Sequence, residues 1–466
     1  MIKKGIGVTM IFIISTFIQL ISQIIITRIF GATLNLDIFL AAVALPTIFV
    51  TVIYGTLSDV FLPLFGEKRV KDPSQANHYF ITHLFILGFI FFLIALLMNF
   101  LAQPLSALLY QSRGEEFVKQ VATQMNFMFY SLPLSVVATL LGSYFYTQKK
   151  FIRFPLAQLI GSIANLLMII LLAPSMGIWA LVFAFVVNIF FQILFVIPKE
   201  LINKESEIDV SSSEGLPNGA TSEAWEKERE TESISRQNNL FSFHSLNLLP
   251  IFIAWIPLII GNFALRSDAL LIRSFGSSLS EGYLVYLNLV AKIFSLATSV
   301  MTIGIQVLLL PHLVEYFANK EYERAIRNVN KAKLIAIGIS VLVTIVLALI
   351  APIAINLLFV GNKFTQQDAQ TTISLLPFFI LPAIGWGINS VFFQPLLALK
   401  KTFQLGLINL IALGLGWGIG ILVKDQFGAL PGITTGLIVL LFSGIIGSEL
   451  LWQHYKKQLR INNEDS

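Results

Sequence analysis

The sequence contains no cysteine, which excludes disulfides, thiolate metal sites and cysteine nucleophiles. It is also poor in charge. Asp, Glu, Lys and Arg make up 12% of its 466 residues against 56% hydrophobic ones, whereas a soluble domain carries roughly 25% charged residues. Histidine is scarce too: the five, at 78, 83, 244, 312 and 454, are dispersed, and no zincin motif, glycine-lysine phosphate loop or serine elbow accompanies them. Neither catalysis nor a cofactor is expected, and the chain reads as a transporter, not an enzyme. The net charge of +5 comes from Lys and Arg set singly or in pairs between apolar runs, a mark of membrane topology and not of a nucleic-acid patch.

What the chain has in abundance is apolar runs long enough to cross about 30 Å of hydrocarbon. They fall near 6–29, 38–64, 80–101, 127–146, 154–174 and 177–198, then near 248–275, 281–310, 333–352, 370–399, 403–423 and 430–453. The pattern predicts an all-α polytopic membrane protein of about 12 transmembrane helices, with membrane lipid as its surroundings. Lys3-Lys4 and the apolar run to Ile26 imitate a signal peptide. The run exceeds the roughly 7 to 15 residues of such a peptide, so it counts as the first span. Segment 102–125, with Pro104, Arg113, Glu115, Glu116 and Lys119 among scattered apolar residues, is expected to lie at the interface as an amphipathic segment.

Charge gives the orientation. With the N-terminus inside, only Arg113, Lys119, Lys363 and Lys424 fall outside, and the remaining loop Lys and Arg fall inside. This bias predicts both termini in the cytoplasm and an even number of spans in the inner (plasma) membrane. Segment 199–246 is charged, serine-rich and poor in apolar residues, the composition of a flexible cytoplasmic linker.

An internal repeat divides the chain. Arg28-Ile-Phe-Gly31 recurs as Arg273-Ser-Phe-Gly276, Phe61-Leu-Pro63 as Leu309-Leu-Pro311, and Lys149-Lys150 as Lys400-Lys401, at offsets of 245, 248 and 251 residues. The reading is an N-terminal six-helix half (1–198), the linker, and a C-terminal six-helix half (247–466) with a short tail. Because each half holds an even number of spans, the two lie parallel around a central cavity. The bland alternative is that Lys pairs and Phe-Gly turns are common at loop ends.

A charge at the bilayer centre costs about 2.5 to 3.5 kcal/mol on insertion scales. Lys292, near the middle of the eighth span, is read as a cavity-facing cation for an anionic substrate group, or else as one half of a structural ion pair. Arg266, Asp268 and Arg273 sit in the outward half of the seventh span. Asp268 lies roughly opposite Arg266 around the helix, so the two are not a local pair. Arg273 and Arg28 are read as snorkelling to the outer interface, where they compensate helix C-termini. Asp37, at the start of the second span, is an N-cap or a substrate contact. Asp59 is expected to be a water-exposed interfacial carboxylate.

Pro46, Pro133 and Pro382 fall inside spans, where they permit bends. The run Gly414-Leu-Gly416-Trp-Gly418-Ile-Gly420 mimics a nucleotide-binding pattern. No strand precedes it, so helix packing through small residues explains it better. Gln158, Ser162 and Asn165, and likewise Asn389, Ser390 and Gln394, keep helical spacing and either bond between helices or line the cavity.

The segment Thr27-Arg-Ile-Phe-Gly-Ala32, with Asp37, Phe39, Ala41, Leu45-Pro46, Ser58 and Phe61-Leu-Pro63, resembles the opening of the MurJ (MviN) family of lipid II flippases. Asp268-Ala-Leu-Leu, Tyr286, Leu309-Leu-Pro311, Leu357-Leu-Phe and Gly361-Asn-Lys-Phe364 are similar to that family's second half. The resemblance implies the multidrug/oligosaccharidyl-lipid/polysaccharide exporter fold and flipping of a polyprenyl-pyrophosphate-linked glycan, the peptidoglycan precursor lipid II, from cytoplasm to periplasm. It aligns Lys292 with the family's cation on the eighth helix and Asp37 with its acidic residue after the first loop. It also implies arginines on the first two helices, but Thr16 to Gln23 and Thr47 to Tyr54 carry no charge. Two other functions stay open: a cation-coupled exporter of small molecules on the same fold, with a coupling ion as partner, and a non-transporting scaffold. A flippase for another lipid-linked glycan is a third variant.

Overall fold

The computed structural model describes residues 2–71, 73–198 and 249–464, so the segment read as a linker, 199–246, lies outside the described residues. The helices are α1 (Ile2–Phe30), α2 (Leu34–Ala42), α3 (Ala44–Lys71), α4 (Pro73–Tyr110), α5 (Glu115–Phe129), α6 (Ser131–Thr147), α7 (Arg153–Met176) and α8 (Trp179–Val196). After the undescribed segment come α9 (Leu249–Arg266), α10 (Asp268–Gly276), α11 (Tyr283–Ala318), α12 (Tyr322–Leu358), α13 (Gln366–Ala398), α14 (Thr402–Phe427) and α15 (Ala429–Glu464). An all-helical answer follows from the solvent, since in hydrocarbon every backbone polar group must be satisfied within its own segment.

Ten stretches among the described residues are long and apolar enough to cross a membrane, and the pair α9 and α10, bent by 43° at Ser267, makes an eleventh. The expected 281–310 span coincides with α11, of which Tyr283–Ser295 alone passes as a shorter apolar helix among the described residues. The count of twelve is therefore not reached on this measure.

The packing repeats along the chain. Helix α1 lies against α7 as α9 lies against α14; α7 pairs with α8 as α14 pairs with α15; and α3 packs on α6 as α11 packs on α13. Two bundles of the same plan thus face each other, joined mainly where α3 meets α9 and where α2 meets α11. Between them Trp255 Nε1 donates to Thr56 Oγ1 at 2.6 Å in a buried site, and the Phe49 and Phe263 rings stand 5.6 Å apart.

The helix ends sort by residue type. Gly31, Gly114, Gly177, Gly282 and Gly428 take positive φ at one end of the bundles, and Lys149, Lys320 and Lys400 take it at the other. The lysine ends share one hydrogen-bond pattern. Lys149 N–H bonds to the Tyr146 carbonyl and Lys150 N–H to that of Phe145, both at 3.0 Å; Lys400 and Lys401 repeat this on Leu397 and Leu396 at 2.9 and 2.8 Å. Glycine normally fills the left-handed position of such a Schellman closure. Lysine at three of them shows local backbone preference yielding to charge placement. The arginine motifs differ: Gly31 is left-handed, but Gly276 is not.

One expectation is corrected. Segment 102–125 is not an interfacial strip, because α4 continues to Tyr110 and α5 buries Phe117, Val118, Val121, Ala122 and Met125 inside the bundle. Pro46 and Pro133 lie inside apolar spans, as read, and the helix breaks one turn before each. Each sits in the first turn after a break, at Val43 and Tyr130, where the missing N–H has no helical partner to lose. Pro382, by contrast, lies within α13, together with Pro377 and Pro395. The glycine run is a packing seam as read: a Cβ on Gly416 would meet Leu440 at 2.7 Å and one on Gly420 would meet Phe275 at 2.8 Å, whereas Gly414 and Gly418 face open space.

Candidate functional site

At the glycine end the two halves are locked by reciprocal capping. Asp37, with no exposed surface, accepts from Arg113 Nη2 at 2.6 Å and from the backbone N–H groups of Gly282 (2.8 Å) and Val285 (3.2 Å), which open α11. In return Glu281 Oε1 accepts from Leu34 N–H, the first of α2, at 2.8 Å. Each half thus supplies the carboxylate that satisfies orphan donors of the other half's helix. The expected N-cap role of Asp37 appears on α11, not on its own helix. A fully buried carboxylate persists only with such partners, and here it has three.

More contacts continue the seam. Ser112 Oγ stands 3.3 Å from Ser277 Oγ, Ser274 Oγ donates to the Leu109 carbonyl at 2.8 Å, and Arg113 Nη2 reaches the Ser280 carbonyl at 3.3 Å. Arg28, exposed in the last turn of α1 as expected, also donates to the Leu357 carbonyl at 3.4 Å. Gly31 lies so close to Lys363 that a Cβ would come within 2.2 Å of its carbonyl oxygen. Tyr286 Oη donates to Asp368 Oδ1 at 2.5 Å, and Asp368 closes a capping box with Thr365 at the head of α13.

Beyond the seam lies a cavity of about 820 Å³ that reaches Leu397 and Thr402, beside the Lys400–Lys401 turn. Its walls come from α9, α10, α11, α13 and α14, with Gly55 and Asp59 of α3 on the remaining side. It is therefore less central than the repeat suggests. The ionisable groups lining it are Asp59, Arg266 and Asp268. Asp268 accepts from the Ala269 N–H at 2.8 Å, which fixes it at the head of α10. Asp59 has no hydrogen-bond or ion-pair partner among the described residues and is exposed, as expected, on the wall of the cavity. Asn389 and Gln394 line it too, as one of their two sequence readings holds, while Ser162 bonds back to the Gln158 carbonyl at 2.9 Å.

The six residues singled out from sequence do not converge on one point. Arg266 and Asp268 share the cavity; Asp37 and Arg28 belong to the seam. Arg273 does not snorkel outward. It is half-buried and donates to Asn288 Oδ1 on α11 at 3.3 Å. Lys292 lies one turn from the cavity-lining Ser295, within electrostatic reach of Arg273, and makes no ion pair or hydrogen bond through its ammonium among the described residues. The structural pair that was its alternative reading is thus not formed there. Sequence reasoning missed Arg113 and Glu281 as seam residues. It also missed Asn409, a lone amide within an apolar run, which lines the cavity.

Two bundles of one plan, closed against each other at one end and holding a cavity that reaches the other, define an all-helical polytopic membrane transporter. A solved lipid II flippase MurJ in an inward closed conformation superposes with a TM-score of 0.72 over 97% of this chain and 87% of that one, at 16% identity. An inward-facing MATE-family multidrug resistance transporter gives 0.66 over 96% and 95%, at 14% identity. Among curated proteins, a probable lipid II flippase MurJ of Helicobacter pylori is 24% identical over 418 residues, covering 86% of this chain and 84% of its own. One of Borreliella burgdorferi is 22% identical over 404 residues, covering 84% and 72%. The sequence model of the lipid II flippase MurJ family matches residues 26–465, and the chain belongs to that family.

Proposed function

We propose that this protein flips lipid II, the polyprenyl-pyrophosphate-linked peptidoglycan precursor, from the cytoplasmic to the periplasmic leaflet of the inner membrane by alternating access of its two halves. The observation that carries the reading is the pairing of a seam locked through Asp37 with a cavity that reaches the opposite end. Family membership supplies the cargo. The lysine-rich end is the cytoplasmic one in this reading, since inside loops hold the Lys and Arg excess, and both termini are then cytoplasmic. The halves divide as 1–198 and 247–466, with 199–246 as their cytoplasmic linker.

In this state the cargo's head group enters from the cytoplasm. Arg266 offers a planar fork that matches phosphate oxygens. Lys292 supplies a second cation one turn from the wall, and Arg273, held by Asn288, keeps it company. Asp37, Arg113, Glu281 and Arg28 form the outer gate, whose bonds must break for release. Membrane lipid and the lipid-linked glycan are the partners; nucleic acid is not one. A coupling ion fits the same scheme, with Asp268 as the carboxylate that a cation-coupled exporter would use.

Depletion tests the reading. Cells deprived of the protein should accumulate lipid II on the cytoplasmic side, with rescue by the intact chain and at least tenfold weaker rescue by Lys292→Ala. Unchanged lipid II with altered drug sensitivity would instead favour small-molecule export.

A further inference from the structure

Two exposed charges of opposite sign, Arg266 and Asp59, line the cavity, and neither makes a hydrogen bond or ion pair among the described residues. They stand at different depths. Thr56 of α3 bonds Trp255 of α9, and from this contact α3 descends towards Lys71 while α9 rises towards the seam. Asp59 comes three residues after Thr56 and Arg266 eleven after Trp255, which separates their backbone positions by about 20 Å at roughly 1.5 Å per residue. Around Arg266 the positive charges prevail: Arg266 and Arg273 both lie within electrostatic reach of Asp268, and Lys292 within reach of Arg273. Near the mouth, Lys400 and Lys401 turn beside the cavity without lining it, and Asp59 is the charge on its wall. Resting on the flippase reading, we propose that Asp59 recognises a primary ammonium on the peptide of the cargo's head group, while Arg266 and the cations beside it hold the pyrophosphate.

A lone carboxylate in the path of a polyanion opposes its entry unless it meets a positive group. The head group of a peptidoglycan precursor has one to offer. Its peptide contains a diamino acid whose side-chain amine, the group later used in cross-linking, is protonated at neutral pH. Between that amine and the pyrophosphate lie a sugar ring, two amino acids and the diamino side chain, a path on the order of 20 Å when partly extended. The spacing of Arg266 and Asp59 matches it. There is room for the peptide as well: Gly55, one turn before Asp59 on the same face of α3, lines the cavity, and a Cβ added to it would meet nothing within 4 Å. The two ends also differ in chemistry. A guanidinium fork suits phosphate oxygens, whereas a carboxylate accepts the charge-assisted hydrogen bonds of an ammonium, so the cavity admits the head group in one orientation, phosphates deep and peptide at the mouth.

Equilibrium binding to the purified full-length protein in nanodiscs tests this, with two probes: lipid II carrying lysine in its peptide, and the same lipid II acetylated on the lysine side-chain nitrogen. Acetylation removes the positive charge and leaves the phosphates intact. It should weaken binding to the unaltered protein at least fivefold. Asp59→Asn should bind both probes alike, to within twofold, at the level the unaltered protein shows for the acetylated one, and Asp59→Glu should keep the discrimination. Equal binding of the two probes by the unaltered protein, or full discrimination by Asp59→Asn, overturns the ammonium subsite alone. Binding of neither probe overturns the flippase reading and this inference with it.

Discussion

Asp37 and Gly282 meet across the seam at 2.8 Å, and they are also counterparts in the repeat, separated by the same 245 residues as Arg28 and Arg273. Positions equivalent in two related halves touch each other only near the axis that relates them. The latch therefore sits on the pseudo-symmetry axis, where a rocking motion of either half must pull it apart.

The seam can be locked covalently. Ser112 and Ser277 have their hydroxyls 3.3 Å apart, and the chain has no cysteine of its own. Oxidised Ser112→Cys/Ser277→Cys should stop lipid II flipping in cells. Reductant should restore it, with crosslinking followed on gels.

Asp37→Asn should loosen the same seam. It keeps an acceptor for the Gly282 N–H but leaves the Arg113 guanidinium without its charge partner, and removing one member of a buried pair destabilises by about 3–5 kcal/mol. Crosslinking yield at Ser112→Cys/Ser277→Cys should fall several-fold in this background, while Arg113→Lys should fall less.

The α14–α15 interface gives an internal control within one helix. Gly420→Leu drives a side chain into Phe275 and the Gly432 carbonyl, and overpacking of this kind costs about 1–3 kcal/mol. At Gly418→Leu the added Cβ meets nothing within 4 Å. Thermal unfolding of the purified protein should drop by several degrees for the first and stay unchanged for the second.

Lys149 takes a φ of 60°, where an L-residue with a Cβ is strained by roughly 1–2 kcal/mol relative to glycine. Lys149→Gly should therefore raise the unfolding midpoint. The triple variant with Lys320→Gly and Lys400→Gly should gain stability and lose topological fidelity, read as increased protease accessibility of loops from the periplasmic side.

Much of this molecule could be read from sequence because its solvent is lipid. Apolar run length located the spans, and Lys149-Lys150 with Lys400-Lys401 exposed the duplication that the packing repeats. What could not be read were relations between distant charges. Arg113 sits in a segment of middling polarity, and nothing local distinguishes an arginine facing headgroups from one bonded to Asp37, 76 residues earlier in the chain. The helix breaks at Val43 and Tyr130, by contrast, fall one turn before Pro46 and Pro133, whose place inside apolar spans marked them as points where a bend is permitted.

The lopsided wall of the cavity decides who carries and who lets go. Apart from Gly55 and Asp59, every residue lining it belongs to the C-terminal half. A head group seated there is the passenger of that half, and the N-terminal half serves as a shutter that slides past it. Flipping speed should then follow the motion of α3, the shutter's edge, more closely than any rearrangement among the helices that hold the cargo.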